Sequence, residues 1–346
     1  MNNNLLAVIT VLLAASWSGV TQAGAFFGAG ASFPKPVYLA WGKAFKAETQ
    51  DVLIYTAVGS GKGLSEILAA KTDFGASDMP FAAEELAKNG LMQFPAVIGG
   101  VVPTINVKNV GDGQLQLDGA ALAGIFLGKI TRWNDAALVA LNPGLSLPND
   151  AIVVVHRADK SGATFNLSHY LNTVSAEWRA AQGEGFTLAW KSGVEAADSE
   201  AMAQKIASTN GAIGYLDFTG MQKRHLAAVK MKNREGLFVA PTVQGFAAAA
   251  SSATWNAANG FYEILSNEPG KQSWPITSAS FILIERTPTV TENVEATLKF
   301  FDWAYSKGGA IAVELGYVPL PDSVAEQVRN AWKTQIKSRA GQALWK

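Results

Sequence analysis

Apolar positions along this chain switch repeatedly between helical spacing and short unbroken runs, the pattern of an α/β protein. Val37, Trp41 and Phe45 form one helical stripe with Ala40 and Ala44 beside it, and Pro34 and Pro36 suit the first turn of that helix. LIYTAV (53–58) predicts a strand, GSGKG a Gly-rich loop, and LSEILAAK a short helix. A brief strand at 74–76 runs into Ser77, Asp78 and Pro80, then into the helical AAEELAKNG with Gly90 as its stop. FPAVIGGVVPTINV (94–107) and TSASFILIER (277–286) are long extended segments, candidates for an outward and a return crossover between two domains. Between them lie the predicted helices GAALAGIFLG, NDAALVALN and DSEAMAQKIAST (198–209), the strand beginning AIVV (151–154), and the strand GAIGYLDF. From about 220 to 273 the pattern is weak and predicts nothing firm. Val294, Leu298, Phe301 and Tyr305 line a further helix ended by Gly308 and Gly309, and Ser323 with Glu326 makes a capping-box pattern before Val324, Val328 and Trp332.

The length, 346 residues, suits two domains better than one core. Lys plus Arg and Asp plus Glu balance at 28 each, so nothing points to nucleic acid as a partner, and any anion site must be local. The chain has no cysteine, which removes disulfides, thiolate metal sites, cysteine nucleophiles and a lipid-anchored cysteine. Residues 1–25 read as a cleaved secretory signal: Leu5–Ala15 is apolar but too short to span a bilayer, and Ala23 or Ala23-Gly24-Ala25 offers a small-residue cleavage site, for a mature start at Gly24 or Phe26. No Lys or Arg precedes Lys35, so the terminal amine alone supplies the positive end. The expected destination is extracytoplasmic, as a soluble protein.

The chemistry concentrates in four short stretches: GAGASFPKP (28–36), VGSGKGLS (58–65), GASDMPF (75–81) and RADKSGAT (157–164). Each follows an apolar, strand-like run, and those holding Ser32, Ser60 and Ser161 lead directly into a predicted helix. Loops at the carboxyl ends of parallel strands gather at one crevice. Helix starts there offer unpaired N–H groups to an oxyanion. None of the stretches is a nucleotide motif: GAGASF lacks a third Gly, and in VGSGKG the first Gly and the hydroxyl after Lys62 are missing. Singly each is a turn. Together with Arg157 and Asp159 they favour a site.

These stretches, with QFPAVIGGVV, LGKITRWND, GAIGYLDF, WPITSASFILI, LKFFDWAYSKG and LPDSVAEQVRNAWKTQIK in the same order, resemble the periplasmic phosphate-binding proteins of phosphate-specific ABC transporters, over essentially all of Gly28–Lys337. The resemblance implies a type II periplasmic binding protein, an α/β fold of two hinged domains closing like a flytrap on a cleft. Domain I would comprise 26–100 with 278–346, and domain II 101–277. It implies high-affinity binding of inorganic phosphate and delivery to an inner-membrane permease with ATPase subunits, by a monomer without cofactor or metal. By motif position, Ser32, Phe33, Ser60, Arg157, Ser161, Gly162 and Ala163 would donate to the ion, Asp159 would orient Arg157 from behind, and Asp78 would sense the ligand's proton. The family usually has Thr where this chain has Ala163, which keeps an N–H but no hydroxyl; Thr164 would replace it only if the loop shifts. Lys62 and Lys160 add positive charge near the cleft mouth, or are solvated surface.

Two other readings stay open. A phosphohydrolase would need a metal cluster or a nucleophile with a base, yet His156, His169 and His225 lack metal-ligand spacing and Ser60 and Ser161 have no evident base. A receptor for another tetrahedral oxyanion is harder to separate. Asp78 argues against sulfate, which brings no proton, but arsenate shares phosphate's.

Overall fold

A computed structural model describes residues 24–346; the proposed signal lies almost wholly outside them. Strands β1 (Ala25–Gly30), β2 (Val52–Ala57), β3 (Phe74–Ser77), β4 (Leu91–Asn106), β6 (Val153–Arg157), β7 (Val194–Ala196), β8 (Ala212–Asp217), β9 (Ala227–Ala228) and β12 (Thr277–Glu285) form one nine-stranded sheet. A smaller sheet holds β5 (Gln116–Leu117), β10 (Lys230–Lys232) and β11 (Phe238–Val239). The main order is β2-β1-β3-β12-β4-β8-β6-β7, with β9 paired to β4. β1 is parallel to β2 and β3, and β6 is parallel to β7 and β8. The antiparallel pair β12 and β4 joins these two groups.

β4 is the spine of the molecule. Its residues 91–100 pair with β12 and its residues 101–106 with β8, so one strand serves both halves. Fifteen of its sixteen residues are buried, which is why its sequence reads as a continuous apolar run rather than an alternation. Among the described residues two large apolar cores share its length, with a smaller cluster around Ile67, Leu86 and Leu283 beside them. One large core gathers Phe26, Tyr38, Trp41, Phe94, Phe301 and Trp332; the other gathers Val102, Leu122, Trp133, Leu167, Trp178 and Ile213. Trp255, Phe261 and Leu265 pack into the first core although they lie inside the 101–277 stretch.

The helices follow the predicted stripes closely. α1 (Lys35–Thr49) buries Val37, Tyr38, Trp41 and Phe45, and Trp41 Nε1 donates to Gly308 O at 2.8 Å. α2 (Ser60–Leu68) begins earlier than expected, so Ser60 and Lys62 belong to its first turn rather than to a loop. Gly59 before it sits at φ 89°, a left-handed conformation that side chains disfavour. α3 (Ala83–Lys88), α4 (Gly119–Phe126) and α5 (Ala136–Leu141) fall where predicted; α6 (Gly162–Val174) follows Ser161 and is succeeded by the unpredicted α7 (Ala176–Ala181). α8 (Ser199–Ser208) matches its expected span. In the weak 220–273 region lie most of α9 (Phe218–Lys223), then three strands of two or three residues and α10 (Val243–Ala250).

α11 (Thr291–Lys307) ends at Gly308, as expected, and a separate short helix, α12 (Gly309–Glu314), follows at once. One helix-end reading is corrected. The Ser323 and Glu326 capping box does not form, because α13 (Asp322–Gln335) starts directly after Pro321 and Ser323 is already its second residue.

Candidate functional site

The carboxyl ends of β1, β2 and β3 face those of β6, β7 and β8 across a cleft, and the four predicted stretches meet there. Ser32 and Phe33 follow β1. Tyr55 Oη donates to Ala31 O and Tyr317 Oη to Phe33 O, both at 2.6 Å, so two buried tyrosines grip the loop by its carbonyls. Phe33 is itself buried with its ring edge-on to Tyr317. The Ser32 and Phe33 N–H groups have no acceptor among the described residues.

Ser60 opens α2 and is fully buried; its Oγ accepts from Asp78 N–H at 3.1 Å. Ser161 caps α6, its Oγ accepting from Thr164 N–H at 3.3 Å. A hydroxyl whose lone pair is engaged in this way still has its proton to give. Gly162 and Ala163 follow as the first residues of α6, where helix geometry leaves N–H groups without intrahelical partners. Thr164 does not stand in for the hydroxyl missing at Ala163. It is wholly buried, and its Oγ1 pairs with Tyr215 Oη at 2.7 Å.

The two sides of the cleft are in contact. Gly61 N–H donates to Lys160 O at 3.1 Å, and Asn166 Nδ2 donates to Asp78 O at 2.9 Å. A Cβ on Gly162 would lie 2.4 Å from Ser60 Oγ and 2.7 Å from Asp78 Oδ2. The Lys62 and Lys160 side chains are exposed.

Arg157, at the end of β6, is the charged element. Its side chain is 2% exposed, and its Nε and Nη2 donate to the two oxygens of Asp159 at 2.6 Å each. That fork fixes the guanidinium plane and leaves Nη1 pointing elsewhere. Nη1 lies 2.5 Å from Ser199 Oγ, which in turn lies 2.7 Å from Ser32 Oγ. Ser199 opens α8 and was not singled out from the sequence.

Two carboxyls share this neighbourhood. Burial pushes Asp78 up to about 7, assisted by the charge of Asp217 and opposed by Ser280, Arg157 and Ser60. Its Oδ1 is buried with no hydrogen-bond partner among the described residues, as is Ser280 Oγ nearby. Asp217, which ends β8, was also unanticipated. Burial raises it to about 6, although it caps α9 by accepting from Gly220 N–H at 2.7 Å. A cavity of about 700 Å³ opens beside Ser32, Ser199 and Asp217.

Two of the histidines are engaged elsewhere. His156 stacks on Trp190 with ring centroids 4.9 Å apart, burial holding it below its usual range, and His169 pairs with the exposed Glu184. Among the described residues no three His, Cys, Asp or Glu side chains gather as a metal site would require. No helix among them is long and apolar enough to cross a membrane.

Two parallel-stranded halves on a shared spine, with helix starts, hydroxyls and one clamped arginine in the cleft, define a two-domain substrate-binding protein, and the profile of the PBP superfamily domain matches residues 17–307. A phosphate-binding protein from Stenotrophomonas maltophilia superposes with a TM-score of 0.68 at 19% identity, covering 93% of this chain and 96% of the other. The phosphate-bound high-affinity periplasmic protein PfluDING gives 0.71 at 20% identity, covering 88% and 93%. The sequence is 43% identical to the phosphate-binding protein PstS of Pasteurella multocida over 98% of both chains, and 45% identical to PstS of Haemophilus influenzae over 91% of this chain and 95% of that one. The chain belongs to the PstS family.

Proposed function

We propose that this chain is the receptor of an ABC phosphate importer, closing its cleft on one inorganic phosphate ion and presenting it to an inner-membrane permease with ATPase subunits. It would act as a monomer in the periplasm and turn nothing over. The observation that carries this reading is the buried, partnerless Oδ1 of Asp78 beside Arg157. A carboxylate placed against an anion is repulsive unless the anion brings a proton. Phosphate at neutral pH does, and satisfies Oδ1 by donating to it. Sulfate brings none and leaves a buried group unpaired, which is the more selective kind of rejection.

The donors assigned to the ion are the Ser32 hydroxyl and N–H, the Phe33 N–H, Ser60, Arg157, the Ser161 hydroxyl, and the Gly162 and Ala163 N–H groups, with Asp159 behind Arg157. A desolvated dianion needs this many donors plus a counter-charge. The family position held by Ala163 contributes only its N–H. The Ser161 hydroxyl has an N–H group, not a base, as its hydrogen-bond partner, which supports a receptor over a hydrolase. The two large apolar cores support assigning one lobe to 26–100 with 278–346 and the other to 101–277, although Trp255, Phe261 and Leu265 pack with the first.

We also propose export with signal removal before Gly24. β1 starts at Ala25, which pairs with Val52, and Gly24 N–H donates to Asp51 Oδ1. A cut after residue 25 would strip the first rung from the sheet. N-terminal sequencing of protein from the periplasm is expected to begin at Gly24; a Met1 terminus there would refute export with cleavage.

Calorimetric titration of ligand-stripped protein with phosphate and sulfate, repeated on Asp78→Asn, tests the central reading. Wild type should favour phosphate strongly, and the amide, able to donate to an unprotonated oxygen, should let sulfate gain. An unchanged phosphate-to-sulfate ratio would mean that Asp78 only shapes the turn before Pro80.

A further inference from the structure

We propose that Ser199 is a positioning residue of the anion site, acting through Ser32 rather than on the ligand; this rests on the phosphate-receptor reading above. Three serine hydroxyls face the cleft, and each is useful as a donor only if its oxygen is engaged from elsewhere, so that the O–H turns outward. Backbone N–H groups do this for two of them: Asp78 N–H for Ser60 and Thr164 N–H for Ser161. The third, Ser32, has the hydroxyl of Ser199 at 2.7 Å.

The proton order along that contact follows from the charges at its two ends. A guanidinium only donates, so Ser199 Oγ accepts from Arg157 Nη1 at 2.5 Å. That bond alone leaves either hydroxyl able to donate to the other; a bound oxyanion accepts the proton of Ser32, so in the filled site Ser199 donates to Ser32 Oγ. The row therefore runs from Arg157 through Ser199 to Ser32 and on to the ligand, each bond strengthened by the charge at its head.

Its ends come from opposite sides of the cleft. Ser32 follows β1, whereas Arg157 and Ser199 follow the paired strands β6 and β7, held in register by Arg157 opposite Ala196. The row can form only when the cleft is shut, so Ser32 becomes a well-aimed donor at the moment of closure. Asp198, not Ser199, caps α8, accepting from Ala201 N–H at 2.7 Å. Removing the Ser199 hydroxyl therefore leaves the helix start intact. With no hydroxyl at Ala163, the aim of Ser32 carries more of the binding.

The test is calorimetric titration of the mature protein with inorganic phosphate. Ser199→Ala should weaken binding about five- to tenfold, the value of one well-directed hydrogen bond. Ser199→Thr, which keeps the hydroxyl, should stay within about twofold of wild type. Ser199→Ala/Ser32→Ala should bind no more weakly than Ser32→Ala alone, because the first acts through the second. Wild-type affinity in Ser199→Ala, or losses at 199 and 32 that add, would overturn the proposal while leaving the phosphate-receptor reading standing. No phosphate binding by wild type would overturn both.

Discussion

Gly162→Ala isolates closure from chemistry. The residue is the first of α6 and its φ lies outside the left-handed region, so alanine is compatible with its backbone. In the closed cleft, however, the added methyl would lie 2.4 Å from Ser60 Oγ and 2.7 Å from both Asp78 Cβ and Asp78 Oδ2. Ordinary contacts between such atoms are about 3.5 Å, so the two sides must part by roughly 1 Å at this point. The Ser60 hydroxyl could rotate away, but Asp78 Cβ is fixed to its backbone. Overpacking of this kind costs about 1–3 kcal/mol, which falls wholly on the closed state. Phosphate affinity should drop about 5- to 150-fold. The ligand-free protein, which can open, should melt at or slightly above the wild-type temperature, because alanine is the better helix former. Calorimetry and thermal melts on the same preparations check both halves. Affinity within twofold of wild type would show that Gly162 is not at the point of closure, and a large fall in melting temperature would show that the contact belongs to the fold.

Arg157→Ala removes the only cation in the cradle and should cost about 3–5 kcal/mol of phosphate binding, with the strength of the effect surviving added salt because the group is buried. Stability without ligand should fall as pH rises from about 4 to about 7. Asp78 and Asp217 are raised to about 7 and about 6 from 3.8, so over that window the folded protein binds more protons than the unfolded chain and loses stability as they leave. Melts across this range should show a shallower slope in Asp78→Asn; an identical slope would mean that Asp78 does not titrate there.

Much of this was legible in the sequence, for identifiable reasons. β4 and β12 are buried on both faces and so announce themselves as long apolar runs, and prolines at the cap and in the first turn of α1 mark its start. The cleft loops were legible because each couples a strand end to a hydroxyl residue at or near a helix start. Ser199 was not, since Asp-Ser-Glu reads fully as a helix cap and first turn, while its partners stand 42 and 167 positions away. Asp217 was hidden in the same way, as the cap of α9. In the 220–273 stretch the strands are two or three residues long, too short for any period to show.

The undivided course of β4 has a further consequence. The two halves are not separate units for folding: excising either would leave part of a sixteen-residue strand without its ladder. Opening of the proposed cleft would therefore be absorbed as elastic bending of hydrogen-bonded backbone rather than as the swing of a slack tether. Free energy gained in the cleft would then be felt along the whole sheet: an ion bound between Ser32 and Arg157, as proposed, is expected to slow amide exchange as far out as the edge strand β2, which exchange measured with and without phosphate would check.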